Sequence, residues 1–302
     1  MSDSPTSPPL APARFNWVFV AYGVALVVAI LTVLWRAALA DGLLLQAAWA
    51  DVAATLVVFG FSYWFRNSSF YDPYWSVVPP ILLLFWWWQA PPIAAEGVVR
   101  LLLMALLTFW WAARLTHNWA RGWHGLEDED WRYGQLQETT GAFYWLVSLL
   151  GIHLFPTVWV FIGCLPFYLA SGASGSVADL GWLDGLGLLV GCAAIWIERQ
   201  ADNELRVFRA SRESRAQLLR TGVWAWCRHP NYLGEIGFWL SLALFGAAAV
   251  TGVWWVWLGP VVMVVLFAGI TIRMIETHLA QSKPDYPAYQ QQTPMLIPRP
   301  WR

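Results

Sequence analysis

Charged residues are scarce in this chain. They account for 12% of its 302 residues, whereas soluble domains carry roughly 25%. A very hydrophobic soluble protein would still need a polar surface, and this composition cannot supply one. Together with several apolar stretches of roughly 20 residues, the low charge predicts an integral membrane protein in contact with the lipid bilayer.

Cysteine is rare as well. The three cysteines, Cys164, Cys192 and Cys227, have neither metal-ligand spacing nor the pattern of a disulfide framework, so we interpret them as small apolar fillers and expect no metal. A G-x-G-x-x-G motif is lacking, which argues against a Rossmann unit, so any nucleotide must be held by another architecture. Neither nucleic acid nor another protein is indicated as a partner.

The N-terminus lacks the basic segment of a secretory signal. Its first fourteen residues are rich in Ser and Pro and are expected to form a disordered tail. The first apolar run is too long for a signal peptide, so we predict a retained membrane helix. Residues 15–302 are then expected to form one membrane domain.

Tryptophan, by contrast, is abundant, with 24 residues, and indole rings collect at membrane interfaces. The hydrophobic pattern predicts an all-α polytopic bundle of about eight transmembrane helices. Their expected ranges are 15–36, 43–65, 74–89, 97–118, 143–170, 183–203, 232–248 and 253–276.

The basic residues favour one side of such a bundle. With eight crossings, every one of the 18 Lys and Arg residues except Arg36 and Arg100 lies on the side that holds both termini. Because basic loops remain in the cytoplasm, both termini are predicted to be cytoplasmic. The long polar segments then lie on the cytoplasmic face, where we expect the chemistry to be accessible.

The sixth span continues beyond the membrane as a basic helix. Glu198, Asp202, Arg206 and Arg209 are spaced four, four and three residues apart, which puts them on one helical face. Two interpretations remain open. The face could be a solvated one with ion pairs such as Asp202 with Arg206 and with bound lipid headgroups, or it could bind a phosphate-bearing ligand.

A polar turn follows this helix. Pro230 suits the first position of a new helix, and Asn231 or His229 could cap its free amides. Helix N-termini attract phosphate, and Arg228 and His229 lie beside this one. Asn231 and Glu235, four residues apart, share a face near the membrane, where polar pairs are costly unless they are used. The helix and the turn together suit a dinucleotide with a 2′-phosphate.

The segment Gly222–Glu235, which reads GVWAWCRHPNYLGE, closely resembles the C-terminal domain of the steroid 5-alpha-reductases (3-oxo-5-alpha-steroid 4-dehydrogenases). It is most similar to a bacterial branch of unassigned substrate. The run Asp285–Pro298 resembles the closing motif of that family. The likeness extends over residues 182–302 and is weaker at 66–75 and 114–121. It implies an NADPH-dependent reductase in the bacterial cytoplasmic membrane, with the cofactor entering from the cytoplasm.

The resemblance also implies roles for individual residues. Asp202, Arg206 and Arg209 match the spacing of the family's Asp and Arg residues that hold the adenine-side phosphates. Glu198 stands where the steroid enzymes have an Asn.

On the nicotinamide side, Asn231, Tyr232 and Glu235 match the family's N-[YF]-[LF]-G-E motif. Arg228 and His229 complete the expected cofactor contacts. Glu235 is in addition a candidate for a catalytic role.

The resemblance assigns the catalytic acid less directly. The steroid enzymes place a Glu on an early helix and a Tyr on the next to hold the substrate's 3-keto oxygen. In roughly those regions this chain offers Asp72 with Tyr71 or Tyr74, and also His117. Each has a structural alternative, because Asp72 could cap the third span, Tyr74 could be an interfacial aromatic and His117 could bind a backbone carbonyl. The acidic run 127–130 is interpreted as a solvated loop or, alternatively, as a lid.

The leading functional hypothesis is hydride transfer from NADPH to a carbon-carbon double bond of a steroid-, sterol- or isoprenoid-like substrate. An acid must then stabilise the charge that develops on the substrate. The alternatives are an S-adenosylmethionine-dependent methyltransferase and a non-enzymatic lipid-binding protein. Isoprenylcysteine and phospholipid methyltransferases share the R-H-P-x-Y-x-G pattern that begins at Arg228. The Asn after Pro230 and the Glu after Gly234 favour the reductase.

Overall fold

The computed structural model describes residues 15–214 and 216–298. Within those ranges the regular structure is helical and no β-strand occurs. The expected disordered tail, together with Arg215, Arg299 and Arg302 of the basic side, lies outside the described residues.

The described chain contains a series of α-helices. They are α1 (Asn16–Ala38), α2 (Leu43–Phe65), α3 (Tyr74–Gln89), α4 (Ala95–Gly122), α5 (Trp131–Thr140), α6 (Tyr144–Val147), α7 (Phe155–Ala170), α8 (Trp182–Ser211), α9 (Pro230–Ala249), α10 (Leu258–Val264), α11 (Ile272–Ser282) and α12 (Tyr286–Gln292).

Six helical stretches of the described chain are long and apolar enough to cross a membrane. They are Asn16–Ala38, Leu43–Phe65, Ala95–Gly122, Trp131–Ala170, Pro230–Ala249 and Trp254–Ser282. This confirms the prediction of an all-helical membrane protein, which followed from hydropathy and length.

The other two predicted spans also fold as helices, but they differ from the six. Helix α3 has 16 residues, fewer than the roughly 20 that cross a bilayer. Helix α8 has 30 residues, and it carries the acidic residues Asp184 and Glu198 among its apolar ones. The count of eight crossings and the cytoplasmic side of the termini therefore stay predictions.

The chain between the fourth and fifth predicted spans is more helical than its sequence indicated. Helix α4 continues to Gly122, and the short helix α5 follows a connector. Asp130 caps α5, because its carboxylate accepts a hydrogen bond of 2.9 Å from the amide of Arg132. A ten-residue polar helix has little apolar periodicity, which is why the sequence pattern did not reveal it.

The predicted span 143–170 is one helical stretch with a change of helical type. Helix α6 runs into a π-helical turn, Ser148–Leu154, before α7 begins. π-Helical turns are rare and are frequently found at functional sites. This turn places the buried polar residues Ser148 and His153 among apolar ones.

The chain divides into two compact units. The N-terminal unit consists of the described residues up to Phe85 together with Ala112–Phe161. The C-terminal unit consists of Trp86–Trp111 and the described residues from Ile162 onward. Helices α1 and α2 pack together in the N-terminal unit, and α8 and α9 do so in the C-terminal unit.

Small residues bring α8 and α9 close together. A Cβ atom at Gly234 of α9 would lie 2.7 Å from the backbone oxygen of Ala194 and 2.7 Å from Cβ of Glu198, both on α8. A Cβ atom at Gly237 would lie 2.9 Å from Cβ of Ala194. Such close backbone approach through small residues is a common way for membrane helices to pack. It positions the polar turn beside the polar end of α8.

Candidate functional site

The polar turn leads directly into α9, which begins at Pro230 as expected. The expected capping interaction, however, is wrong, because no side chain caps the first turn of α9. The His229 side chain is engaged elsewhere, since its Nε2 lies 2.9 Å from Oε1 of Glu276 on α11. The contact with Glu276 therefore replaces the capping interaction that the local sequence predicted for His229.

Arg228 binds the same carboxylate. Its Nε donates to Oε1 of Glu276 over 2.7 Å, and its Nη1 donates to the backbone oxygens of Gln290 and Thr293. The backbone amide of Arg228 also donates to Pro294. Arg228 and His229 therefore hold the C-terminal segment, which we define as residues 283–298, against the turn. Glu276 was missed by sequence reasoning, although it is the one acidic residue of α11.

Asn231 and Tyr232 follow on the first turn of α9. The side-chain oxygen Oδ1 of Asn231 is buried and has no hydrogen-bond partner. The Tyr232 ring stacks on Phe267, with ring centroids 4.7 Å apart. A buried acceptor without a donor is costly, so Oδ1 of Asn231 is a natural contact for a ligand N–H group.

Glu235 is 5% exposed and lies one turn further along α9. Its Oε2 accepts a hydrogen bond of 2.9 Å from the indole of Trp111 on α4, and its Oε1 accepts one of 3.1 Å from the indole of Trp239. Two neutral donors thus support this carboxylate inside an apolar segment. Sequence reasoning selected Glu235 but did not anticipate the indole partners.

The predicted stripe on α8 is largely exposed at its far end. Arg206 donates to Oδ1 of Asn203 over 3.1 Å. Asp202 interacts electrostatically with Arg209, and partial burial together with neighbouring Arg212 lowers the pKa of Arg209. The structure thus brings Asp202 and Arg209 together.

A lysine from the C-terminal segment joins these arginines. Burial, Arg212 and Arg209 lower the pKa of Lys283, which shows that Arg209, Arg212 and Lys283 form a cationic cluster. Lys283 also donates to the backbone oxygen of Gln217 over 2.5 Å. Mutually repelling cations are typical of a site for an anion. Lys283 was not selected from the sequence, because it lies far from α8 along the chain.

Cys227 lies inside the turn and is 1% exposed. Burial raises the pKa of its thiol to about 11. The thiol therefore remains protonated at neutral pH, in agreement with its interpretation as a small apolar filler.

In the N-terminal unit, the three candidates for the catalytic acid have different surroundings. Asp72 accepts a hydrogen bond of 2.6 Å from the hydroxyl of Tyr133, and burial raises its pKa to about 6. The Tyr74 hydroxyl donates to Oδ1 of Asp51 over 2.7 Å. His117 lies exposed on α4.

Asp51, the partner of Tyr74, is another residue that sequence reasoning missed. It is 6% exposed, and its Oδ2 has no hydrogen-bond partner. It lies on α2, while its partner Tyr74 is the first residue of α3. The available signal was a lone carboxylate in an apolar helix, since charged residues inside membrane segments are rare and usually functional.

The acidic run 127–130 is anchored to the connector before α3. Asn67 donates to the backbone oxygens of Leu126 and Asp128 over 2.9 and 3.0 Å. Glu129 accepts a hydrogen bond of 2.7 Å from the amide of Ser68. The run is therefore held by specific contacts within the N-terminal unit.

Comparison with known proteins identifies the family of this chain. The model of the family described as "Protein of unknown function (DUF1295)" matches residues 58–293. The chain belongs to the DUF1295 family. It is 30% identical over 267 residues to "Uncharacterized protein C594.04c" of Schizosaccharomyces pombe (strain 972 / ATCC 24843), which covers 80% of this chain and 76% of the relative. No solved structure matches the chain significantly.

The matched DUF1295 region contains the α9 group with Asn231 and Glu235. Of the other group of buried polar residues it contains Tyr74, whereas Asp51 precedes the matched residues. Chemically, the first offers an amide and a carboxylate beside a cationic cluster. The second offers a phenol hydroxyl that is hydrogen-bonded to a buried carboxyl group, and such a pair can share and transfer a proton.

Proposed function

We propose that this DUF1295 protein is a membrane-embedded, NADPH-dependent reductase. It transfers a hydride to a carbon-carbon double bond of a lipophilic substrate of steroid-, sterol- or isoprenoid-like chemistry. The observation that carries the proposal is the buried hydrogen bond between Tyr74 and Asp51. The pair has the same kinds of group as the steroid enzymes place there, a carboxyl group on an early helix and a Tyr on the next, although the resemblance pointed to Asp72 as the carboxyl group.

The proposed role of this pair follows from its geometry. A double bond conjugated to a carbonyl gains negative charge on oxygen when hydride attacks, and a hydroxyl that donates to that oxygen lowers the barrier. Tyr74 provides the hydroxyl. In the structure the single proton of this hydroxyl is donated to Oδ1 of Asp51. A protonated Asp51 would instead donate to the Tyr74 oxygen, which leaves the phenol proton for the substrate. Of the residues considered for this role, Tyr74 has the best support, while Asp72 is engaged by Tyr133.

The C-terminal unit supplies groups that fit NADPH. When bound, this cofactor would supply the hydride. Arg206, Arg209 and Lys283 would hold its phosphates, with Asp202 orienting Arg209. The buried acceptor Oδ1 of Asn231 fits the N–H of a carboxamide.

Arg228 and His229 have a different proposed task. Their donors are occupied by Glu276 and by backbone oxygens of the C-terminal segment. We therefore assign them to the positioning of that segment, which carries Lys283 at its start. Glu235 is likewise assigned to positioning, since both of its oxygens accept indole hydrogen bonds.

The methyltransferase alternative is less well supported. S-adenosylmethionine bears no phosphate, so it gives no role to the cluster of Arg209, Arg212 and Lys283. Methyl transfer also has no use for a buried phenol–carboxyl acid such as Tyr74 with Asp51. A lipid-binding protein without activity would need neither group.

The test of the cofactor is a binding titration with purified protein in detergent. NADPH should bind at least tenfold more tightly than NADH, and S-adenosylmethionine should not compete, because a 2′-phosphate contact with a cation contributes roughly 1.5–3 kcal/mol. Arg209→Ala and Lys283→Ala should each reduce the preference for NADPH. Arg121→Ala, a change at an exposed arginine of α4, is the matched control. Equal affinity for NADPH and NADH would refute the assignment.

The orientation is testable independently. A reporter fused after Arg302 should lie in the cytoplasm, as the distribution of basic residues predicts. An external signal would contradict the proposed access of the cofactor from the cytoplasm.

A further inference from the structure

A column of polar side chains runs through the N-terminal unit, separate from the Asp51–Tyr74 pair. Its members, in spatial order, are Glu129, Tyr144, Ser68, Ser148, His153 and Ser62. We call this set the polar column. Ser62, Ser68, Ser148 and His153 are all 0% exposed, which is unusual for so many polar groups in a protein this apolar.

Hydrogen bonds join the members of the column one after another. The Tyr144 hydroxyl lies 2.7 Å from Oγ of Ser68, which lies 2.9 Å from Oγ of Ser148. Oγ of Ser148 lies 3.4 Å from Nδ1 of His153. On the other side of the ring, Nε2 of His153 lies 3.0 Å from Oγ of Ser62.

The chemistry of the members suits proton transfer. Each hydroxyl can donate one hydrogen bond and accept another, and an imidazole can take a proton at one nitrogen and release it from the other. His153 lies in the π-helical turn, and its Nδ1 is also 2.9 Å from the backbone oxygen of Ser148, which holds the ring in place. No member has to be displaced for a proton to be passed along.

The outer end of the column lies in the connector between α4 and α5. Glu129 is half-buried there. Its carboxylate accepts a hydrogen bond of 2.7 Å from the amide of Ser68 and is also hydrogen-bonded by Tyr144. Its neighbour Glu127 is exposed, so this end of the column reaches the surface of the unit.

The inner end lies on the face of α2 that carries Asp51. Asp51, Thr55 and Ser62 are spaced four and seven residues apart, so they share one face of the helix. The Thr55 hydroxyl lies 2.8 Å from that of Thr157, which lies 2.7 Å from that of Tyr71. The Tyr71 ring in turn contacts His153, with ring centroids 4.9 Å apart.

We infer that the polar column is a proton path from the α4–α5 connector to the buried face of α2 that carries Asp51. This use of the path rests on the proposed reductase function. Each reduction of a double bond adds one hydride and one proton, so the acid loses a proton per turnover. Water at Glu129 supplies the replacement, which the column carries to Ser62 without any net change in its members. Between Ser62 and Asp51 the same face of α2 carries Thr55, whose hydroxyl is hydrogen-bonded to that of Thr157.

The test measures proton exchange directly and needs neither substrate nor cofactor. The protein is labelled with ¹⁵N-histidine in detergent, and the His153 ring resonance is assigned by its loss in His153→Gln. Exchange of its N–H with water is then measured by NMR. Tyr144→Phe and Ser68→Ala should each slow this exchange by roughly tenfold or more, because exchange must then wait for local opening of the helices.

The direction of the change distinguishes a path from a purely structural network. If the column only stabilises packing, Tyr144→Phe loosens the helices and exchange becomes faster or stays the same, which overturns the proposal. Tyr63→Phe is the matched control, since Tyr63 is 58% exposed on α2 and should leave the rate unchanged. The outcome is independent of NADPH binding, so a failed cofactor titration and a failed proton path are separate results.

Discussion

The indole N–H of Trp111 donates a 2.9 Å hydrogen bond to Oε2 of Glu235, which is 5% exposed. The Trp111 ring also stacks face to face on Phe238, with centroids 4.3 Å apart and an interplanar angle of 6°. Trp239 donates to the second carboxylate oxygen. Trp111 of α4 thus donates a hydrogen bond to a buried carboxylate of α9 and packs against Phe238 of that same helix α9.

Trp111→Phe tests this hydrogen bond. Phenylalanine keeps an aromatic ring next to Phe238 but removes the N–H, which leaves an acceptor of Glu235 buried without its donor. We expect a loss of about 2 kcal/mol in the free energy of unfolding. Denaturant titration in detergent measures the loss.

Two comparisons make that measurement specific. Trp110→Phe changes a neighbouring indole that is 42% exposed and should be close to neutral. In a Glu235→Leu background, Trp111→Phe should lower the free energy of unfolding by less than half as much, because no buried acceptor is left without its donor. An equal cost in both backgrounds would assign the effect to ring packing alone.

Loss of the ion pair between Arg100 and Asp184 should lower the free energy of unfolding by more than loss of the Trp111 hydrogen bond does. Arg100 is fully buried and donates to both carboxylate oxygens, at 2.6 and 2.9 Å, and also to the backbone oxygens of Ala178 and Asp179. Arg100→Met should cost about 3–5 kcal/mol, because it leaves a buried charge unpaired. Thermal unfolding with a fluorescence readout would measure it.

The double variant and a second arginine serve as controls. Arg100→Met with Asp184→Asn should recover part of the loss, since the Asn is neutral. Arg36→Met removes a partly exposed pair with Asp41 and should cost about 1 kcal/mol or less. If the double variant is no more stable than Arg100→Met alone, the backbone contacts of Arg100 carry the effect.

Gly234→Ala tests the close approach of α8 and α9. Its new Cβ would lie 2.7 Å from the backbone oxygen of Ala194, so the helices must separate, at a cost of about 1–3 kcal/mol. Gly185→Ala on α8, where a Cβ has nothing within 4 Å, is the control. It should be neutral or stabilising by up to about 1 kcal/mol. Similar stability of both variants in denaturant titration would mean that the interface is loose.

Asp72 predicts a specific pH dependence. Burial raises its pKa from 3.8 to about 6, so between these values the folded protein binds the proton more tightly than the unfolded chain does. The stability contributed by this proton is fully present below the unfolded pKa and is lost as the pH rises through about 6. Asp72→Asn imitates the protonated form and should escape that loss.

The measurement is the melting temperature of both proteins across this range. The variant should match the wild type at the acidic end and exceed it progressively up to a pH just above 6. Gln135→Ala, a change at an exposed neutral residue of α5, should differ from the wild type by the same amount at every pH, because it removes no titrating group. Parallel curves for Asp72→Asn and the wild type would show that Asp72 does not titrate in this range.

Local sequence was sufficient for the long apolar helices, and it selected several candidate site residues. Hydropathy and length are properties of contiguous residues, so the spans were predictable. The turn at Pro230 and the spacing of Asp202, Arg206 and Arg209 were likewise readable, because they depend on neighbours within a few turns. The short helix α5 was missed, since ten polar residues leave no apolar stripe.

The partners of the site residues were decided by tertiary structure alone. Trp111 and Glu235 are 124 residues apart, and Arg228 and Glu276 are 48 apart. The sequence shows Asp51 as a lone carboxylate in an apolar helix, but its partner Tyr74 becomes apparent only when the helices pack. Composition and periodicity determined a helical membrane protein, because burial in lipid selects residues one segment at a time. Which polar groups meet inside it depended on how the helices pack, and a linear pattern does not contain that information.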